Sequence, residues 1–400
     1  MTRQHTSELT CEACGALGLT PCADLGLFPA TCGMTWPEPP TDPVLGRMDL
    51  WYCPSCAHVV NRAFTEDLRA TDGLFDNGML SSASYRAHVA GVAERVLGRA
   101  LPTRTLELGC GEGELLELLP GERTGWSRHV PEPTTLGGYT LNAGSWTPGA
   151  GAYDLVVARH VLEHVADPLG LLRQLRSVTD GRGYFEVPDA GYDLGAAGWD
   201  VIYPHAQYFH AGSLVAMCER AGFTVTNYGL TFHDQYLYVE VSTHPGAERA
   251  EACVDCGPLD NDHQRAVAQN FGDRFGALID RWQGVVKAHH RPALWGAGAR
   301  GLTFLATVDP GHAMTVVDLN PGKHGRFLAT GHRVDPPSSL PGHRCRDHHE
   351  PGVPEGDRKV RRGAGRHLRG AGRMSERQRV NQGHSGDVPH AAGERSEAGA

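Results

Sequence analysis

The segment Leu106-Glu107-Leu108-Gly109-Cys110-Gly111-Glu112-Gly113 constrains this chain more than any other part of it. A short strand pattern at 104–108 runs directly into three glycines spaced two apart, and a helical pattern follows at 112–119. Glycine lets the backbone turn sharply and approach a ligand without a Cβ in the way, so this order opens an α/β ligand-binding unit. A dinucleotide pyrophosphate prefers GxGxxG at a helix N-terminus, where Glu112 and Glu114 would set negative charge. The pattern made by Glu107, Gly109, Gly111 and Gly113 therefore favours a different cofactor.

Beyond the loop, strand and helix patterns alternate. Strands are expected at 154–159, 183–187, 224–228 and 235–241, and helices at 81–100, 168–178 and 213–221. Alternation of this kind predicts a mostly parallel, doubly wound sheet of Rossmann-like type. A further amphipathic helix is expected at 265–287, followed by a new strand–glycine turn–helix unit with Gly296, Gly298 and Gly301, and a strand ending at Asp318. That second loop satisfies GxGxxG, with Asp318 at the distance of a ribose-binding acid. The expected organisation is 1–72 zinc-binding, 73–245 the cofactor-binding α/β domain, 246–340 an incomplete Rossmann-like domain and 341–400 a basic tail.

Residues 1–70 are rich in turns and too poor in apolar residues for a core of their own. Cys11-x-x-Cys14 and Cys53-x-x-Cys56 offer four thiolates to one tetrahedral zinc, which would staple the segment. Four protein ligands leave no open position, so the ion would be structural. Cys22, Cys32 and His58 are substitute ligands, whereas Cys253 and Cys256 read as surface thiols.

The stretch Tyr153-Asp154-Leu155-Val156-Val157-Ala158-Arg159-His160-Val161-Leu162-Glu163-His164-Val165-Ala166-Asp167-Pro168 resembles the region after the fourth strand of small-molecule class I methyltransferases. With the glycine loop, the resemblance implies S-adenosylmethionine as cofactor and places Arg159 and His160 beside its methionine part. The family's ribose-binding acid has no clear counterpart; Glu132 is the nearest.

Tyr203-Pro204-His205-Ala206-Gln207-Tyr208-Phe209, taken with the cysteine pairs, is similar to the zinc-containing C-methyltransferases of nucleotide-linked 4-keto-deoxysugars. That likeness spans about residues 8 to 340. It implies His205 as the base, Tyr203 and Tyr208 around the acceptor, and Gly296, Gly298 and Asp318 toward the nucleotide-sugar. Pro204 replaces a glutamate of the motif, which leaves O-methylation of a sugar or other small molecule as the alternative activity. An inactive cofactor-binding protein is the third reading.

The chain carries a formal net charge of −9, which gives no footprint for nucleic acid. Residues 341–400 hold 12 Lys+Arg and 8 Asp+Glu, leaving 25 and 38 for the remainder, so an acidic body carries a basic tail. The tail has 11 glycines, 11 arginines and no aromatic residue, a composition expected to be disordered and consistent with a frameshifted terminus. Neither a membrane span nor a secretory leader is expected, so the reading is a cytoplasmic monomer or homodimer acting in secondary metabolism.

Overall fold

A computed structural model of the chain describes residues 9–66, 68, 73–75, 82–149, 151–191, 200–250 and 261–340. The basic tail and the Cys253/Cys256 pair fall outside them.

The N-terminal stretch holds more strand than its turn-rich sequence predicts: β1 (Thr20–Pro29), β2 (Met34–Thr35), β3 (Leu45–Tyr52), β4 (Val59–Asn61) and β5 (Leu74–Phe75). In β3, Gly46, Met48, Leu50 and Tyr52 face inward while their neighbours face out, a two-residue period masked by the surrounding Gly and Pro punctuation. Next comes α1 (Ala83–Leu97), whose first turn is capped by Ser82 Oγ accepting from the Tyr85 amide.

The central sheet is built from β6 (Arg104–Leu108), β7 (Glu122–Ser127), β8 (Thr134–Leu136), β9 (Tyr139–Ala143), β10 (Tyr153–Arg159) and β11 (Thr179–Pro188), with α2 (Pro168–Val178) between the last two. After β12 (Gln207–Tyr208) and α3 (Ala211–Arg220), β13 (Thr224–Thr231) and β14 (Tyr236–Ser242) complete it. The strand order is β13-β14-β11-β10-β6-β7-β9-β8. Five central strands run parallel, and β14 is antiparallel to both of its neighbours. In β10, Leu155 and Val157 pack toward α1, while Val156 and Ala158 pack toward α2 and α3. A strand buried on both faces reads as the unbroken apolar run seen in the sequence.

The helix expected at 112–119 does not form. A single 3-10 turn, Leu116–Leu118, takes its place. Gly109, Gly111 and Gly113 all hold positive φ, and Pro120-Gly121 ends the segment, so too few residues remain for an α-helix. Leu115, Leu116 and Leu119 are nevertheless buried, which accounts for the apolar spacing without a helix.

The helix expected at 265–287 is two: α4 (Asn261–Gln269) and α5 (Phe271–Ala288), broken at Asn270. Then β15 (Ala293–Trp295), α6 (Ala299–Val308), β16 (Thr315–Val317) and β17 (Val334–Asp335) form a small parallel sheet in that order. This unit shares one core with the N-terminal sheet: Phe271, Phe275, Leu305 and Val316 pack with Phe28, Met48, Leu50 and Tyr203. The N-terminal sheet itself takes its fourth strand, β12, from the middle of the chain, in the order β1-β3-β4-β12.

Candidate active site

The site lies where β6, β10 and β11 end. Gly109, at φ +70°, is the crest of the glycine loop; a Cβ there would meet Val161 Cγ2 at 2.5 Å and the Arg159 carbonyl at 3.3 Å. Gly113, at φ +95°, lies under the Tyr139 ring, where a Cβ would come within 2.6 Å. Only glycine fits these positions, so the loop remains bare backbone.

Glu107 and Arg159, from adjacent strands, are both buried, with Arg159 Nε 3.6 Å from Glu107 Oε1. Burial pushes the Glu107 carboxyl up to about 7, against the pull of Arg159. Both Glu107 oxygens, and Nε and Nη1 of Arg159, lack hydrogen-bond partners. Buried groups of this kind normally have partners, so this pair fits a polar ligand that completes them. In S-adenosylmethionine the ammonium and carboxylate of the methionine part match that donor and acceptor set.

A second buried network continues from this pair. Glu186, at the end of β11, accepts from His88 Nε2 at 3.0 Å and from the Tyr184 hydroxyl at 2.7 Å, and lies 3.4 Å from His160 Nε2. His160 has φ +54°, rare outside glycine, and its Nδ1 is 3.3 Å from Glu163 Oε1. Burial alone would lower its proton affinity, but the carboxylates of Glu163 and Glu186 outweigh it and raise the imidazole to about 9. Burial likewise opposes ionisation of Glu186, yet the flanking imidazoles hold it well below the usual carboxylate range.

His205 approaches the same place from the segment before β12. It is 9% exposed, its ring centroid lies 5.0 Å from that of His164, and the amide of Ala206 donates to the Glu163 carbonyl at 2.7 Å. Burial and then the neighbouring His164 lower its proton affinity to about 3, so the imidazole is neutral with its lone pair free. Tyr208 is buried 6.2 Å from His205, ring to ring, and its hydroxyl donates to the Ile202 carbonyl at 3.4 Å. Tyr203 instead packs in the N-terminal core and accepts from the Thr65 amide at 2.9 Å. The structure thus gathers Glu107, Gly109, Arg159, His160 and His205, and turns Tyr203 to packing.

Glu132 is exposed in the turn before β8. A different carboxylate reaches the end of β7: Glu66, which pairs with Arg128 at 3.5 Å and accepts from the Ala166 amide at 3.1 Å. Gly296 and Gly298 frame the second glycine loop, but the Asp318 carboxylate is already engaged there, accepting from the amides of Ala297 at 2.6 Å and Asn320 at 2.8 Å. Arg300, in the first turn of α6, reaches Asp200 and Gln235, tying the C-terminal unit to the central sheet.

The four cysteines converge. Cys11 and Cys56 sulfurs are 3.6 Å apart, as are those of Cys14 and Cys53, and all four lie within 4.8 Å of one another as free thiols. A tetrahedral zinc with Zn–S of about 2.3 Å sets sulfur–sulfur edges near 3.8 Å, so the set could hold that ion. The cluster is bound to the central domain: Arg220 donates to the carbonyls of Cys11 and Glu12, and His210 Nε2 lies 2.7 Å from the Cys56 carbonyl.

His88, Glu186 and Glu66 escape sequence reasoning, as does Tyr236, whose ring centroid lies 4.3 Å from that of His160. The signal for Glu186 was a lone acid inside the apolar run Tyr184-Phe185-Glu186-Val187, the same anomaly that marks Glu107. His88 shares the apolar face of α1 with Tyr85, Val89 and Val92, where a histidine reads as core.

A family described as methyltransferase domain matches residues 56–228. With the glycine crest and the buried pair beneath it, that match marks residues 56–228 as an S-adenosylmethionine-dependent methyltransferase domain. Solved structures with a related chain path include the magnesium protoporphyrin IX methyltransferase of Synechocystis with bound S-adenosylhomocysteine. It is 16% identical, over 44% of this chain and 90% of that one, with a TM-score of 0.33. The N-methyltransferase NodS of Bradyrhizobium japonicum is 14% identical, over 40% and 88%, with a TM-score of 0.32. A methyltransferase of Clostridium acetobutylicum is 9% identical, over 42% and 95%, with a TM-score of 0.34. No curated protein matches the chain. Among the described residues, no helix is long and apolar enough to cross a membrane.

Proposed function

We propose that this methyltransferase acts on carbon beside the ketone of a nucleotide-linked sugar, with His205 as base. The observation that carries the reading is the neutral, buried His205 beside Glu163, on the segment that joins the cysteine-bearing sheet to the cofactor end of the central sheet. Carbon next to a ketone is a weak acid, and a positioned imidazole lone pair removes its proton before the carbon bonds to the incoming methyl. The cofactor, when bound, supplies an electrophilic methyl on a sulfonium and leaves as a thioether.

The chain's own groups do the rest. Glu163, close enough to His205 to stabilise an imidazolium, counters only in part the burial and the neighbouring His164 that make the ring a weak base. Glu107, Arg159 and the glycine crest would hold the cofactor's methionine part, with His160 bordering it. A structural zinc at Cys11, Cys14, Cys53 and Cys56 would pin the N-terminal sheet to α3, supported by the Arg220 bonds. The C-terminal unit, fastened through Arg300, would face the nucleotide. Pro204 in place of a glutamate favours a second reading, O-methylation of a small-molecule hydroxyl.

Incubation with a ketosugar nucleotide in deuterated water, without cofactor, separates the two. Carbon methylation predicts deuterium entering the carbon beside the ketone, and loss of that exchange in His205→Gln. Methyl transfer without exchange would establish the O-methyl reading. Calorimetry should show His205→Ala retaining S-adenosylmethionine affinity while turnover disappears; lost affinity would make His205 part of the cofactor site.

A further inference from the structure

Glu163, His164 and His205 form a second convergent set of metal-type ligands, apart from the cysteines. One ligand atom from each lies within 4.8 Å of the others. Glu163 is 1% exposed, and neither carboxylate oxygen makes a hydrogen bond; the approaching atoms are His160 Nδ1 at 3.3 Å and His164 Nε2 at 3.9 Å. His160, held protonated by Glu163 and Glu186, answers Oε1 from one side, while Oε2 has no partner, and an open buried carboxylate oxygen is costly unless a donor or a cation completes it.

His164 is arranged as metal-ligating histidines usually are. His164 Nδ1 lies 2.8 Å from the Pro204 carbonyl, so it carries the proton and donates there, leaving the Nε2 lone pair toward Glu163. A ligand imidazole that gives its other N–H to a backbone carbonyl is fixed in tautomer and orientation. The two segments that carry the ligands are clamped by the Ala206 amide on the Glu163 carbonyl, which limits how far the set can spread. His164 is 40% exposed in its side chain, so an ion has a way in and one side of the set faces outward.

We infer that Glu163, His164 and His205 bind a divalent cation of the zinc, cobalt and nickel class. Two imidazoles and one carboxylate suit that class rather than magnesium or calcium, which favour all-oxygen sites. Three protein ligands leave a position for water or an acceptor oxygen, unlike the closed four-thiolate set. Resting on the proposed function, there is one consequence: an ion here takes the His205 lone pair, so the loaded protein does not transfer a methyl group. The site and the base are then alternative uses of one imidazole.

The test uses the full chain with its thiolate site loaded with zinc, titrated with cobalt. Bound metal is measured after gel filtration, together with the visible spectrum. Wild type should take up a second equivalent whose spectrum lacks thiolate-to-cobalt charge-transfer bands. Glu163→Gln, His164→Gln and His205→Gln should each weaken that equivalent by at least about 10-fold, the scale known even for changes outside the ligand set. Thermal melting and zinc content confirm that each variant is folded. Uptake of one equivalent only, or equal affinity in wild type and all three variants, would overturn the site. Uptake with undiminished methyl transfer would keep the site and refute His205 as base.

Discussion

Glu107→Gln tests the buried pair at the centre of the site. In the folded chain the Glu107 carboxyl is pushed up to about 7 from an ordinary 4.5, because burial outweighs Arg159. The gap corresponds to about 3 kcal/mol of differential protonation energy. A folded carboxyl that binds its proton more tightly than the unfolded one stabilises the fold fully below pH 4.5. That contribution is lost as pH rises to about 7, and the charge is then carried at full cost. Between pH 6 and pH 8 the remaining loss is about 1 kcal/mol. Arg159 loses its partner in the variant, so absolute stability is a poor readout and the pH slope is the informative one. Urea denaturation of cofactor-free, metal-loaded protein at pH 6, 7 and 8 should show wild-type stability falling by about 1 kcal/mol more than that of the variant. Parallel pH dependences in the two proteins would refute a buried, proton-holding Glu107.

Four further outcomes follow from the same geometry. Gly109→Ala places a Cβ 2.5 Å from Val161 Cγ2 at φ +70°, a cost of about 1–2 kcal/mol, and should weaken S-adenosylmethionine binding by about tenfold in calorimetry. Gly91→Ala, in α1 with no atom within 4 Å of the new Cβ, should leave binding unchanged and stabilise the fold by about 0.5–1 kcal/mol. Arg220→Ala removes a charged donor from the carbonyls of Cys11 and Glu12; unfolding free energy should fall by about 1–3 kcal/mol with zinc content unchanged. Stripping metal with a chelator should speed amide exchange in β3 and β4 while leaving β10 and β11 protected, and uniform acceleration would contradict a local staple.

The parts of the site that the sequence showed were those written in consecutive residues. Glu107 to Gly113 and Arg159 to His164 could be read because a loop between a strand and its successor is short, and its chemistry is local. The helix after the loop misled: Leu115, Leu116 and Leu119 are spaced as on a helix face, yet positive-φ glycines on one side and Pro120-Gly121 on the other left room for a 3-10 turn only. Asp318 kept the position expected of it and took another task, holding its own glycine loop.

By itself the sequence determined five of the eight strands of the central sheet, the glycine crest, the paired cysteines and His205 as a residue of interest, because periodicity and short motifs are properties of neighbouring residues. The tertiary structure alone decided which distant residues share a space. It brought Glu186 and His88 to His160, placed β12 from mid-chain in the N-terminal sheet, and laid Glu66 beside Arg128. It also decided protonation, since the neutrality of His205 and the raised carboxyl of Glu107 come from burial. Burial is a sum over surrounding atoms, and most of those atoms belong to residues far away along the chain.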